Sequence, residues 1–243
     1  MRESLLTIPV NEAFEPYEGE EYPCGCPFCR MRDTVELHIC EYIMGAAMME
    51  PDVRADTNRL GFCHRHFQSL LGLSNRLSLG LMLNSHLEQV RGEIFAKKGV
   101  LDVIKKDKKA EKAEKASESC FVCAKTNWGM NHMAKSFFMM FAESDNFKAL
   151  FDSQEFICMP HYAWIRSLAP NFYKKAELEG FLNKLDHLVA SYAQSLNADV
   201  DGFCNSFDYR NAGKLHKPEM EHVRTSVNRA IYFLTGRQPQ ETR

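Results

Sequence analysis

The chain has 243 residues, 45% of them hydrophobic and 26% charged, a balance that supports a sizeable core and excludes wholesale disorder. Its formal net charge of −2 gives no global attraction to nucleic acid or to an anionic membrane surface, so no nucleic-acid partner is expected. The longest apolar stretches, such as 43–49, fall far short of the roughly 18 residues that a bilayer span needs, and no membrane partner is expected either.

The N-terminal arm, MRESLLTIPVNEAF, carries a short apolar patch without a signal-like hydrophobic region or a small-residue cleavage site, which points to a cytoplasmic chain. Nine cysteines is a high count for such a compartment and points to metal or redox chemistry rather than disulfides. The first cluster is Cys26-Pro-Phe-Cys29. The stretch 30–49 follows, where Val35, Ile39, Tyr42, Ile43 and Ala46 recur at the three- and four-residue steps of one helix face. Segment 50–62, EPDVRADTNRLGF, reads as an acidic polar loop with Pro, Asn and Asp as breakers. Its Glu50, Asp52, Arg54 and Asp56 suit either a salt-bridged loop or a small-ligand site. Cys63-His64-Arg65-His66 comes next, then a short helix, FQSLLGL, closing near Gly72, and a longer amphipathic helix over roughly 75–100.

Residues 105–119 are rich in Lys, Ala and Glu with no apolar face, and read as an exposed, charged helical linker. The pattern then returns. Cys120-Phe-Val-Cys123 precedes a helical stretch with Trp128, Met133, Phe137, Phe138 and Phe141 on its expected apolar face. A polar loop is expected over 143–156, followed by Cys158-Met-Pro-His161, a short helix ending near Pro170, and a longer helix over 174–196. Segment 198–243 stands outside the pattern and ends in a helix from about Pro218 to Gly236.

Two copies of one pattern are thus expected: 33 residues separate Cys29 from Cys63, and 34 separate Cys123 from Cys158. The second copy has a single histidine, three residues after its cysteine, so His66 rather than His64 is the matching ligand candidate. At a helix start, residues i and i+3 share a face, whereas i and i+1 point about 100° apart. The fold expectation is all-α: two pseudo-repeats of metal-stapled helices plus a C-terminal helix. The segmentation is 1–104 for the first repeat with its arm, 105–119 for the linker, 120–197 for the second repeat and 198–243 for the C-terminal segment.

Thiolate is a soft donor and imidazole a borderline one, and Cys3His is a closed structural zinc set. Each repeat is expected to close its own set, Cys26, Cys29, Cys63 and His66 in the first, and Cys120, Cys123, Cys158 and His161 in the second, giving two zinc ions per chain. An iron–sulfur cluster is the alternative, since cysteine and histidine also hold clusters. Cys24, Cys40 and Cys204 match nothing in the other copy, with Cys40 expected in the core. His38 and His132 fall within helical stretches, and the Met-rich runs suit core filling. No Gly-rich phosphate loop, serine nucleophile elbow or His-Glu-x-x-His motif is present, so no catalytic residue is assigned.

The stretches LTIPVNEAFE, CPFC, MMEPDVRADTNRLGFCHRH, NRLSLGLML, SCFVC and FDYRN, in this order over nearly the whole chain, resemble DUF6062, a bacterial family of unknown function. The resemblance implies paired Cys-x-x-Cys and Cys-x-x-His elements at the eight residues above and a late Asp208-Tyr209-Arg210. One departure is FICMPH, which lacks the glycine found before the first Cys-x-x-His. The resemblance implies no activity. The functional expectation is a zinc-binding, non-catalytic protein with a protein partner, and the alternative is a redox enzyme or sensor using iron–sulfur or zinc thiolates.

Overall fold

The computed structural model describes residues 6–20, 25–95, 108–207 and 217–239. Cys24 and Asp208-Tyr209-Arg210 lie outside the described residues. Among those described, the fold is all-α, with eleven α-helices and no strand. They are α1 (Thr7–Phe14), α2 (Pro27–Met44), α3 (Pro51–Leu60), α4 (His64–Gly72), α5 (Arg76–Phe95), α6 (Lys109–Glu118), α7 (Phe121–Glu143), α8 (Asp145–Asp152), α9 (Met159–Leu168), α10 (Lys175–Ser206) and α11 (Lys217–Thr235). None is long and apolar enough to cross a membrane.

The helices expected from periodicity are present, and three more form where loops or an arm were expected. The segment 50–62 folds as α3 because Pro51 supplies a preset helical φ, Asp52 sits in the positive first turn and Arg59 in the last. Gly61, at φ +56°, ends it. Within 143–156, the Ser144 hydroxyl accepts a hydrogen bond from the Phe147 amide and caps α8. Phe147 and Phe151, four residues apart, bury the face of α8. The arm folds as α1, whose Val10 and Phe14 are fully buried. The last long helix, α10, continues to Ser206 and so takes up the start of the expected C-terminal segment.

The chain divides into two compact units, one formed by 32–131 and one by 1–31 together with 132–243. The expected boundaries at 104 and 120 follow the sequence repeat, whereas these divisions fall inside α2 and α7. The 32–131 unit has an aliphatic and mixed core: Ile43, Leu70 and Val122 are fully buried and pack with Met82, Phe121 and Cys40. Each such large apolar side chain stabilises the unit by about 1.5–3 kcal/mol relative to exposure. Arg54 on α3 donates to Ser85 Oγ on α5 at 2.9 Å, which ties these two helices together. Here α3 is the helical form of the expected acidic loop.

The other unit has an aromatic core. Phe137 packs edge-on against Phe28 at 5.1 Å and stacks on Phe14 at 5.6 Å, with Phe147, Phe151 and Phe181 around it. Edge-to-face and offset contacts add about 0.5–1.5 kcal/mol per pair beyond burial. Gln154 donates to the Phe14 carbonyl at 2.8 Å, which fixes the end of α1 on this core. The α10 and α11 helices run against each other, with Arg229 donating to Asp199 at 2.6 Å.

Candidate metal centres

Four of the described helices begin with the same local arrangement. Cys26, Cys63, Cys120 and Cys158 each stand immediately before the first residue of α2, α4, α7 and α9. Cys29, His66, Cys123 and His161 then occupy the third helical position. These are the two positions a capping box uses, so both side chains lean over the same open helix end. Unbonded amides and the helix dipole at that end favour negative sulfur.

Tertiary packing brings these starts together in two sets of four. Cys26, Cys29, Cys158 and His161 form one, and Cys63, His66, Cys120 and Cys123 form the other, with all donor atoms of a set within 4.8 Å of one another. This corrects the expectation that each repeat closes its own set. The Cys-x-x-Cys of one copy meets the Cys-x-x-His of the other, twice. The reason lies in the backbone next to the ligands. Phe121 N–H donates to the Gly61 carbonyl at 2.9 Å, and Ser119 Oγ donates to the Leu60 carbonyl at 2.8 Å, so the start of α7 lies beside the start of α4. At the corresponding positions of the other set, Gly25 N–H donates to the Glu155 carboxylate at 2.9 Å, which joins the start of α2 to the start of α9. Each set consequently lies wholly within one compact unit.

The spacing within each set is that of a coordination polyhedron. A tetrahedral ion with about 2.3 Å to sulfur and about 2.0–2.1 Å to nitrogen implies edges of about 3.8 Å between sulfurs and about 3.5 Å from sulfur to nitrogen. In the first set, Cys29 Sγ lies 3.6 Å from Cys158 Sγ, and His161 Nδ1 lies 3.6, 3.4 and 3.2 Å from Cys26, Cys29 and Cys158. In the second, Cys63 and Cys123 sulfurs are 3.9 Å apart, and His66 Nδ1 lies 3.3, 3.2 and 3.4 Å from Cys63, Cys120 and Cys123. The residues present therefore fit a divalent ion.

The electrostatics point the same way, because groups packed this tightly cannot all lose their protons unaided. Contacts with Cys158 and Cys26 hold Cys29 far below the ordinary thiol range, while burial drives Cys26 well above it. Cys158, drawn down by Cys26 but raised by Cys29 and by burial, reaches about 12. In the second set, burial opposes ionisation of Cys120, yet the bond to His66 lowers it to about 6. Burial and the charge of Cys120 push Cys123 up to about 12. Burial would lower His66, but Cys120 and Glu36 outweigh it and raise the imidazole to about 9. A central cation removes this conflict by favouring every thiolate at once.

The surroundings of the two sets differ. Cys26, Cys29 and Cys158 are fully buried, and His161 is 8% exposed. Its ring lies 5.9 Å from those of Phe28 and Trp164. Cys29 Sγ faces the Gly236 carbonyl at 3.4 Å. Around the second set, Cys63 and Cys123 are only half-buried. His66 is fully buried, and its outer nitrogen, Nε2, lies 3.7 Å from the Glu36 carboxylate, which Arg65 in turn holds with a 2.7 Å hydrogen bond. Binding of a cation through Nδ1 would leave the remaining imidazole proton on Nε2, on the side of Glu36. Glu36 and Arg65 carry no ligand spacing in the sequence, and only the fold reveals them.

A family description, "Family of unknown function (DUF6062)", matches residues 1–241. The chain belongs to DUF6062. No curated protein and no solved structure matches it.

Other residues of this DUF6062 chain fall into place around the two sets. His64 is exposed and is not part of the second set. Cys40 is buried in the 32–131 core, where burial pushes its thiol up to about 11, and Cys204 is exposed on α10. His38 is exposed and His132 half-buried. Asp56, from the expected acidic loop, pairs with Arg59 at 2.7 Å and with Lys125 at 3.7 Å. Val35 and Ile39 are half-buried, Ile39 against the 32–131 core, and Tyr42 is exposed; together with Val53, Phe121 and Trp128 they line an open groove of about 410 Å³ between α2, α3 and α7. Tyr42 is 58% and Trp128 65% exposed there.

Proposed function

We propose that this chain is a zinc-stapled helical protein, with two structural Cys3His zinc sites built from two pseudo-repeats, that presents a surface to a protein partner in the cytoplasm. The observation that carries the reading is the spacing of the donors: in each set one sulfur–sulfur and all three sulfur–nitrogen separations are close to the edges of a tetrahedron around one ion, and every donor lies within 4.8 Å of the others. Four protein ligands leave no position for water or substrate, which is the pattern of structural rather than catalytic zinc. Each ion joins two helix starts that are far apart in sequence, so its binding energy becomes folding energy for the unit that contains it. The exposed aromatic groove on the 32–131 unit supplies an apolar face of the kind partners cover.

An iron–sulfur cluster is the second reading, motivated by the cysteine count. The sulfur separations of 3.6 and 3.9 Å suit ligands on one ion better than ligands spread over the separate irons of a cluster. Metal analysis with a visible spectrum on anaerobically purified protein separates the two. About two zinc per chain and a colourless solution are expected. Iron with sulfide and a brown solution would replace the zinc reading with a redox or sensing one.

A further inference from the structure

The two sets share a donor composition and differ in what reaches their sulfurs. In the first, all three cysteines are fully buried, Phe28 and Trp164 pack beside the His161 ring, and the Gly236 carbonyl faces Cys29. In the second, Cys120 is 6% exposed, but Cys63 and Cys123 are half-buried and stand 3.9 Å apart. Oxidation of a thiolate by a small oxidant depends on thiolate character and on access. A structural zinc ion keeps both sets of sulfurs as thiolates, so access is left to discriminate between them. Resting on the zinc reading, we propose that Cys63 and Cys123 form a peroxide-reactive thiolate pair, which makes the second set an oxidisable, zinc-releasing site while the first set stays closed.

The chemistry balances with hydrogen peroxide as the oxidant. The Cys63 thiolate attacks one peroxide oxygen, the O–O bond breaks, and Cys63 becomes a sulfenic acid with loss of hydroxide. The Cys123 thiolate then attacks that sulfur, the S–S bond forms and a second hydroxide leaves. Two protons from solvent convert the hydroxides to water, so two thiolates lose two electrons and one peroxide becomes two waters. Cys120 and His66 alone remain as donors, and two ligands do not retain a structural zinc ion. A dithiol reductant with added zinc restores the set.

The test uses the full-length, zinc-loaded protein, whose zinc content is measured first. Dilute hydrogen peroxide is then added with a colorimetric zinc chelator present, and samples are alkylated and digested for mass spectrometry. One of two zinc equivalents is expected at least tenfold faster than the other, together with a peptide pair linked through Cys63 and Cys123 that is lighter by two hydrogens. Cys26, Cys29 and Cys158 stay unoxidised during the fast phase. Release of both equivalents at one rate, no release, earlier oxidation of the first set, or a link between Cys120 and Cys123 instead would each overturn the proposal. A protein without zinc before peroxide is added would overturn the underlying zinc reading instead. The wild-type measurement needs no variant, so a folding defect cannot blur it.

Discussion

Crossing of the ligand sets can be tested by removing sulfurs two at a time. Cys29 and Cys158 fall in different copies of the expected repeat, yet their sulfurs are 3.6 Å apart in one set. Cys29 and Cys63 fall in the same copy, yet they stand in different sets. A Cys29→Ser/Cys158→Ser variant therefore loses two ligands from one site and leaves the other complete. A Cys29→Ser/Cys63→Ser variant damages both. Structural zinc binding contributes about 10–16 kcal/mol in small zinc domains at neutral pH, and a serine hydroxyl does not replace a thiolate. That loss is comparable with the whole stability of an ordinary domain, about 5–15 kcal/mol, so a damaged site empties and its unit melts early. Metal analysis of the dialysed variants is expected to give about one zinc per chain for the first and none for the second. Calorimetry is expected to show one preserved transition in the first variant only. The reverse stoichiometry would restore pairing within repeats and refute the geometry.

Three further outcomes follow from particular contacts. Glu36→Gln removes the carboxylate behind His66 and is expected to weaken zinc at the second site by about 10–100-fold while leaving the first unchanged, as read by competition with a chelator. At a temperature where chelated protein keeps its helices, zinc binding at pH 7 is expected to release at least about two protons at the second site, because His66, at about 9, and Cys123, at about 12, still carry theirs in the folded set. Zinc binds the deprotonated forms, so affinity rises with pH up to those values and falls more steeply as pH drops through about 6, where Cys120 also takes a proton; calorimetry in buffers of different ionisation enthalpy counts them. Gly61→Ala would put a methyl group 2.6 Å from His86 Nε2 at a backbone φ of +56°, and a loss of about 1–3 kcal/mol is expected in thermal or urea unfolding.

Much of the site was legible because its rules are local. A cysteine before a helix and a second residue three positions later share one helix end, so Cys-x-x-Cys and Cys-x-x-His announce the eight side chains that cluster and leave His64 outside the clusters. Which end meets which is a tertiary fact. It depends on contacts such as Phe121 N–H to the Gly61 carbonyl and Gly25 N–H to Glu155, and the repeat suggested the wrong partner for each. The all-α fold was legible from periodicity, yet α3 and α8 read as loops because their polar residues outweighed the stop and start signals at Pro51, Gly61 and Ser144. Tyr42 and Trp128 obey helical spacing on an expected helix face, and the stripe they belong to opens onto a groove. Helical periodicity locates an apolar face without saying what covers it.

Zinc K-edge X-ray absorption on the purified protein tests the central claim most directly, because it reads the donors around the metal itself. Four-coordinate zinc is expected, with three sulfurs at about 2.3 Å and one nitrogen at about 2.0–2.1 Å, averaged over two sets of the same donor composition. A shell dominated by oxygen and nitrogen, an average far from three sulfurs, or a metal–metal distance of an iron–sulfur cluster would contradict it.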